Sequence, residues 1–514
     1  MKTILRKNLK PLLFSVCLFL GLFSPLGAQE PSPGGEEDPV LYVIRGIDFN
    51  VAGRSRPYAL RYHGKLHEGE ELAGQEALDH YIRDRTQLLT NQRVLKDDVS
   101  IVPSFGEAEP DGKIPVYLLV SVSDTWNIMA FPKPLWDSNE GFDLTLKARD
   151  YNFWGTMSPI RIDLGYQLNT QGESNFNFLL DTDIPFSAMG FNWNVNFDNQ
   201  FDYSWQEALG YINTAGISME LPWRRGAFIF DITHELSWYP QNGDQEQVLY
   251  GKFFEGLVNS ISFGVDWEVP TGVDVFGFGE LIYMPEIRQS LNYNPGGWDM
   301  YEWKGFRQSY VASFNQKLGF GRVDWIGNFR HGVDVYFSND NSYDYIRRSW
   351  NNSYTVNAAG HFLFTDRSGV TSRLQIRHWF LNFPRSLYYS GGDVLRGVLN
   401  NDIAADFMVS LNLEFPFRLP FRPSEWFNAP KLRTFNFDLF LSPILDIAVA
   451  HLPYPVNGQK TLGAYYAGGL EILVFPDIMR SFYARLSMGI DLDKFFWDYY
   501  IPPVELFFGL GHFF

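Results

Sequence analysis

Residues 191–198 read FNWNVNFD: Phe191, Trp193, Val195 and Phe197 take the odd places, Asn192, Asn194, Asn196 and Asp198 the even ones. Phe201 and Tyr203 keep the odd face apolar further on. Side chains of a strand alternate between two faces, so this is a strand with one dry and one wet side. After Asp124 the helical period disappears and the alternation returns in FDLTLKARD, SPIRIDLGYQL, GAFIFDITHEL, SISFGVDWEV, FMVSLNLEF, AGGLEILVF and VELFFGLGHFF. The dry faces are rich in Phe, Tyr and Trp, which make up 17% of the chain, and no window after residue 30 approaches the roughly 18 apolar residues of a spanning helix. If such strands cross a bilayer they must close into a barrel, because only closure leaves no backbone group unpaired in lipid. A soluble sandwich or propeller is the alternative, but no blade-length repeat is visible and the aromatics gather near strand ends as membrane girdles do.

The connections alternate in kind. Tight ones (LPWRRG, VPTG, TDRSG) follow long polar ones (YPQNGDQEQ, PEIRQSLNYNPGGWDMYEW, SNDNSYDYIRRSWNN), the pattern of a barrel with short turns on one rim and long loops on the other. The expected fold is mainly β: a transmembrane antiparallel β-barrel over residues 124–514, with about 16 strands, or about 18 on a finer division of 300–345, an even number being the rule.

The first residues place Lys2, Arg6, Lys7 and Lys10 before an apolar run, which reads as a secretory signal peptide over 1–28. Residues 29–39, QEPSPGGEEDP, read as a linker. The only cysteine, Cys17, lies in the leader, so the mature chain has no thiol to mispair in an oxidising compartment. Loss of 1–28 removes four positive charges and no negative ones, taking the formal charge from −17 to −21, which excludes a general nucleic-acid binder. Residues 40–123 have the texture of a small α+β unit: a strand LYVIRGIDF, a helix GQEALDHYIRDRTQLL with Leu78, Tyr81, Ile82, Leu88 and Leu89 on one face, and a strand KIPVYLLVSV.

The chain ends in VELFFGLGHFF, with Phe508, Leu510 and Phe514 on one face and Gly509 and Gly511 between, a terminal aromatic strand that resembles the sorting signal of bacterial outer-membrane barrels. Three further stretches resemble the BamA/TamA superfamily of outer-membrane assembly and secretion barrels. The unit at 40–123, with Gly69-Glu70 between its helices, is similar to a POTRA domain. ARDYNFWGTMSP carries Asp150, Asn152 and Gly155 in the spacing of an early-barrel D-x-N-x-x-G turn. SLYYSGGDVLRGV carries Gly391, Gly392, Arg396 and Gly397 in the place of a loop that folds into the lumen, with Glu414 and Asp446 on later strands as the acidic partners the resemblance implies. Val398 stands where that pattern has an aromatic residue and Ala448 where it has Gly, and Asp438 is a substitute acidic partner. The pairing is physically reasonable in itself, since a guanidinium drawn out of water is stable only beside a carboxylate in bidentate geometry.

The resemblance implies a bacterial outer-membrane location with the first unit in the periplasm, and a role in inserting or translocating polypeptides. One POTRA-sized unit points to an accessory or specialised member. The implied partners are unfolded or extended client polypeptides, outer-membrane lipid, and periplasmic chaperones or accessory proteins. No cofactor is expected, nor an enzyme: no nucleophile elbow, phosphate loop, zinc motif or cysteine pair is present. An oxygen-rich stretch, Asn339, Asp340, Asn341 and Asp344, reads as a solvated outer loop, with weak Ca²⁺ binding as the sharper alternative. A passive outer-membrane pore with a periplasmic docking unit is the alternative function. A seam between the strand near WNIMAFPKP and the last strand is the expected weak point, since Pro132 and Pro134 lack the N–H a ladder needs.

Overall fold

The computed structural model describes residues 40–510 except 138–140, 169–171, 205–208, 224, 240–255, 294–308, 346–347, 381–388, 391–393, 399–402, 454–460 and 498–503. The leader and linker expected over 1–39, Gly391, Gly392, Gly511 and Phe514 lie outside the described residues.

The first unit runs β1 (Leu41–Ala52), α1 (Pro57–His63), β2 (Glu71–Ala73), α2 (Gly74–Thr90), β3 (Ser100–Phe105) and β4 (Ile114–Ser123). Its sheet has the order β2-β1-β4-β3, with β1 and β4 parallel. Alternation along β4 turns Val116, Leu118, Val120 and Val122 to one face, where they pack with Leu60 of α1 and Leu78, Tyr81 and Leu89 of α2. Pro57 starts α1, a position whose missing N–H costs nothing. Between the helices Gly69 takes φ +87°, and its N–H donates 2.7 Å to the Ile44 carbonyl, a backbone shape that favours glycine.

The second unit is a closed antiparallel ring. Its strands are β5 (Ile128–Asp137), β6 (Gly141–Asp150), β7 (Ile160–Leu168), β8 (Ser174–Ala188), β9 (Phe191–Ser204), β10 (Leu209–Trp223), β11 (Gly226–Tyr239), β12 (Gly256–Asp274) and β13 (Glu280–Tyr293). They continue as β14 (Ser309–Ile326), β15 (Phe329–Asp344), β16 (Ser349–Thr365), β17 (Ser368–Phe380), β18 (Phe407–Glu414 and Phe417–Leu419), β19 (Phe437–His451), β20 (Leu462–Pro476), β21 (Ala484–Asp491) and β22 (Glu505–Leu510). The two pieces of β18 share one register: Glu414 faces Thr371 and Ile444, and Phe417 faces Ser368 and Leu441. Pro416 therefore interrupts a single strand, and β5 to β22 make eighteen positions, with β22 beside β5.

Three stretches read as connections from the sequence are strand. VPTG closes β12, PEIRQSLNY forms most of β13, and SNDNSYD ends β15. A strand with one wet face carries as many polar residues as a loop does, which is why the sequence misleads there. Asp340 and Asp344 alternate with Asn339 and Asn341 along β15, so the four side chains face two ways and cannot share one cation.

Cross-strand register identifies the two faces. Asp446 faces Asn412, Asn412 faces Arg373, Arg373 faces Ala359, and Ala359 faces Asp334. The same face continues through Gly321, Lys317, Met284, Glu286, Asp266, Ile229 and Glu220 to Asn192. The Asn192, Asn194, Asn196 and Asp198 row thus shares the inner face with Asp446. The opposite face exposes Leu164, Ile217, Phe230, Ile232, Phe263, Ile287, Phe314, Leu318, Phe337, Ile472 and Leu486, a belt of large apolar side chains that none of the described residues covers. Such a belt suits hydrocarbon. Among the described residues no helix is long and apolar enough to cross a membrane.

The first unit is seated on the rim formed by the short turns, the near rim. Asn152 is fully buried; its Nδ2 donates to Ser55 Oγ (2.8 Å) and Asp124 Oδ2 (3.0 Å), and its Oδ1 accepts the Met157 N–H (2.9 Å). Asp150 pairs with Arg54 at 3.1 Å, and Gly155, at φ +74°, accepts the Arg56 N–H at 2.9 Å with no room for a Cβ beside the Arg54 carbonyl. Asp150, Asn152 and Gly155, read as a turn, therefore also join the two units. On another arc Arg93 lies 4.2 Å over the Trp325 ring and donates to Gly327 O (3.1 Å) and Asn328 Oδ1 (2.7 Å). Burial, with the nearby Arg480 charge, pulls the Arg93 pKa down to about 9, so its acceptors must repay a desolvated cation.

His63 on α1 meets the Thr156 carbonyl at 3.2 Å, and burial lowers its pKa against the smaller opposing effect of that bond. The native unit thus favours neutral His63, whereas the unfolded chain takes a proton near about 6.5. Its contribution is complete above that pH and is lost as pH falls towards the folded pKa. The thermal midpoint of the first unit should drop between pH 7.5 and 5, and His63→Gln should flatten the slope; identical pH profiles would contradict this origin.

Candidate functional site: a loop tip held inside the ring

The connection between β17 and β18 turns inward. Tyr389–Ser390 and Ala404–Ala405 pair as a short ladder, and Leu395, Val398, Ile403 and Ala405 pack with Met408, Ala448, Ala450, Leu452 and Ala467 of the inner wall. Val398 and Ala448, the two departures from the pattern the sequence resembles, belong to this same apolar cluster. The alanines leave a shallow well, and a valine fits it where a larger ring would need more space.

That packing delivers Arg396 into a nest of carboxylates. Its Nε and Nη2 donate to Asp446 Oδ2 (2.9 Å) and Oδ1 (2.6 Å), and its backbone N–H donates to Oδ2 (2.9 Å). Its Nη1 reaches Glu414 at 2.7 Å and Glu471 at 3.0 Å. Glu471 also accepts from Arg485, and from Ser487 Oγ at 2.6 Å. Asp446, Glu471 and Arg485 are almost wholly buried, at 0%, 1% and 2% exposure. Moving such charges out of water costs several kcal/mol for each ion, and only dense hydrogen bonding of this kind offsets it. The bidentate grip on Asp446 also fixes the plane of the guanidinium and hence the direction of the loop.

Two backbones then meet without side chains between them. Gly397 has φ +104°, and a Cβ on it would lie 2.7 Å from the Gly489 carbonyl carbon. A Cβ on Gly489 would lie 2.6 Å from the Arg396 carbonyl carbon and oxygen. The Gly397 N–H donates to the Glu505 carboxylate of β22.

The structure therefore brings Arg396, Gly397, Glu414 and Asp446 together. Asp438 sits elsewhere: at the near rim it accepts from Arg418 (2.8 Å) and Asn328 (2.8 Å), too far along β19 from Asp446 to serve Arg396. Phe508, Gly509 and Leu510 lie on β22 opposite Leu486, Arg485 and Ala484. Sequence reasoning missed Glu471, Arg485, Gly489 and Glu505. A signal existed for the first: Glu471 is the lone charge in the otherwise apolar AGGLEILVF. Among the described residues no cluster of three or more His, Cys, Asp or Glu is arranged to hold a metal.

A closed ring of eighteen antiparallel strands, with an apolar outer belt and a charged loop tip inside, is the class of protein that fold and site define. No family model and no curated protein matches the sequence. Among solved structures the chain is similar to CdiB from Acinetobacter baumannii, at 12% identity over 88% of this chain and 70% of that one, with a TM-score of 0.48. It is similar to BamA from Haemophilus ducreyi lacking POTRA domains 1–3, at 12% identity over 91% and 84%, TM-score 0.40. CdiB from Escherichia coli matches at 10% identity over 95% and 93%, TM-score 0.42.

Gly489→Ala tests the backbone contact. The added methyl should push the tip off the wall, destabilise the seated loop by about 1–3 kcal/mol as overpacking does, and speed tryptic cleavage after Arg396 in the folded protein. Unchanged cleavage would show that the contact bears no strain.

Proposed function

We propose that this chain is a bacterial outer-membrane barrel that inserts polypeptides into that membrane or moves them across it, in a specialised or accessory role. The observation that supports this reading most is the loop tip: Arg396, Gly397 and the carboxylates around them tie an inward-turned tip to the strands nearest the ring's closure.

In this reading the apolar belt faces outer-membrane lipid, and the first unit lies in the periplasm as a POTRA-type receiver. Its sheet ends in β3, which pairs with β4 on one side only. An extended client adding to that edge would be held by backbone hydrogen bonds, which are indifferent to sequence. Periplasmic chaperones or accessory proteins would deliver such clients. The closure between β5 and β22 is where a client strand would enter, since β5 carries Pro132 and Pro134 in its middle. The work is mechanical, and no catalytic residue is assigned.

The test has two arms. Depleting the protein should lower a defined subset of outer-membrane or secreted proteins in a whole-envelope census, and no change in any client would sink the reading. Cysteines at Met129 and Leu510, oxidised across the closure, should abolish client handling while leaving the barrel folded. A passive pore would conduct equally well with the closure locked.

A further inference from the structure

The closing strand β22 is attached to its neighbour β21 by a short ladder, from Ala484↔Leu510 to Gly489↔Glu505. The adjoining β20–β21 ladder runs from Ala467↔Asp491 to Val474↔Ala484, and the β19–β20 ladder from Phe437↔Pro476 to His451↔Leu462. The far-rim end of the short ladder is the pair Gly489↔Glu505, and the loop tip touches both members. Arg396 and Gly397 lie against the Gly489 backbone, and the Gly397 N–H is received by the Glu505 carboxylate. Register places Glu505 on the inner face: it faces Gly489, two residues along β21 from Ser487, which faces Glu471. Its neighbour Leu506 is 66% exposed on the outer face.

We propose that Glu505 is a positioning residue that latches the luminal loop to the closing strand, so that the seat of the loop controls how readily β22 leaves the ring. The inference rests on the insertion or translocation reading above for its use, but not for its physics. Through Arg396 and Gly397 the tip is joined in succession to β18 at Glu414, β19 at Asp446, β20 at Glu471, β21 at the Gly489 approach and β22 at Glu505. The first three contacts belong to strands with a ladder on each side. Among the described residues β22 is held by its ladder to β21 and its place beside β5, and a charge-assisted bond at its far end adds to that hold. Release of the tip also removes the side-chain-free contact that excludes water from the Gly489↔Glu505 pair, and the ladder can fray from that end. Coupling runs equally in the other direction: a strand that displaces β22 pulls Glu505 from the Gly397 N–H and loosens the tip.

Hydrogen exchange on the full-length protein in lipid nanodiscs tests the latch without any client. In Glu505→Ala the amides of 505–510 and of 394–398 should exchange about tenfold faster, with β15 to β18 unchanged, because a single charge-assisted bond is lost at a local opening. Glu505→Gln, which keeps an acceptor, should restore part of the protection. Arg396→Ala should accelerate 505–510 as Glu505→Ala does, and the double variant should add nothing further. Unchanged exchange at 505–510 in Glu505→Ala overturns the proposal, as does a uniform rise over all strands, or additive effects in the double variant. The envelope census is read separately: a normal census with accelerated β22 exchange removes the proposed function and leaves the latch standing.

Discussion

A guanidinium withdrawn from water into a ring of strands survives only where carboxylates meet it, and the arrangement around Arg396 follows from that constraint. Asp446 grips it in a bidentate pair, Glu414 and Glu471 take its remaining nitrogen, and Arg485 and Ser487 in turn satisfy Glu471. Each partner is itself buried and would be a liability alone. The set is stable together, and it holds a loop that crosses from one rim to the inner wall. Small residues complete the seat: Gly397 and Gly489 let two backbones touch, and Ala448, Ala450 and Ala467 make the well for Leu395 and Val398.

The ring around this site obeys the same accounting on a larger scale. Every strand must spend its backbone groups on two neighbours, and closure is the one arrangement that leaves none over in lipid. The dry aromatic faces turn outwards and the Asn and Asp faces turn in, so the wet interior can admit a charged loop at all. The first unit uses a different chemistry at the near rim. There Asn152, Asp124 and Ser55 form a buried polar joint, and Arg93 stacks on Trp325. These bonds are short-range and directional, and they set the unit under one arc of the ring and against another.

Much of this was legible in the chain. Strict alternation in FNWNVNFD marked the strand and, through register, its two faces; the barrel followed from alternation and turn spacing, while the even strand number came from the general rule for such barrels. Arg396 with Asp446 and Glu414 was readable from short motifs. The rest was hidden for physical reasons. The polar runs in β13 and β15 looked like loops because a luminal face is as hydrophilic as a loop. Glu471, Arg485 and Glu505 lie far from Arg396 in sequence, and only ring closure brings them to it. The role of Asn152 as a joint between units was invisible because an Asx turn and a buried hub use the same residue.

A double-mutant cycle on Arg396 and Asp446, read by thermal unfolding of the purified barrel, measures the interaction on which the account depends. Each single alanine variant should cost about 3–5 kcal/mol, because it strands the other charge in the interior. The double variant should cost little more than either, giving a coupling of about 3 kcal/mol. Additive losses, with no coupling between the two positions, would contradict a loop tip seated on the inner wall.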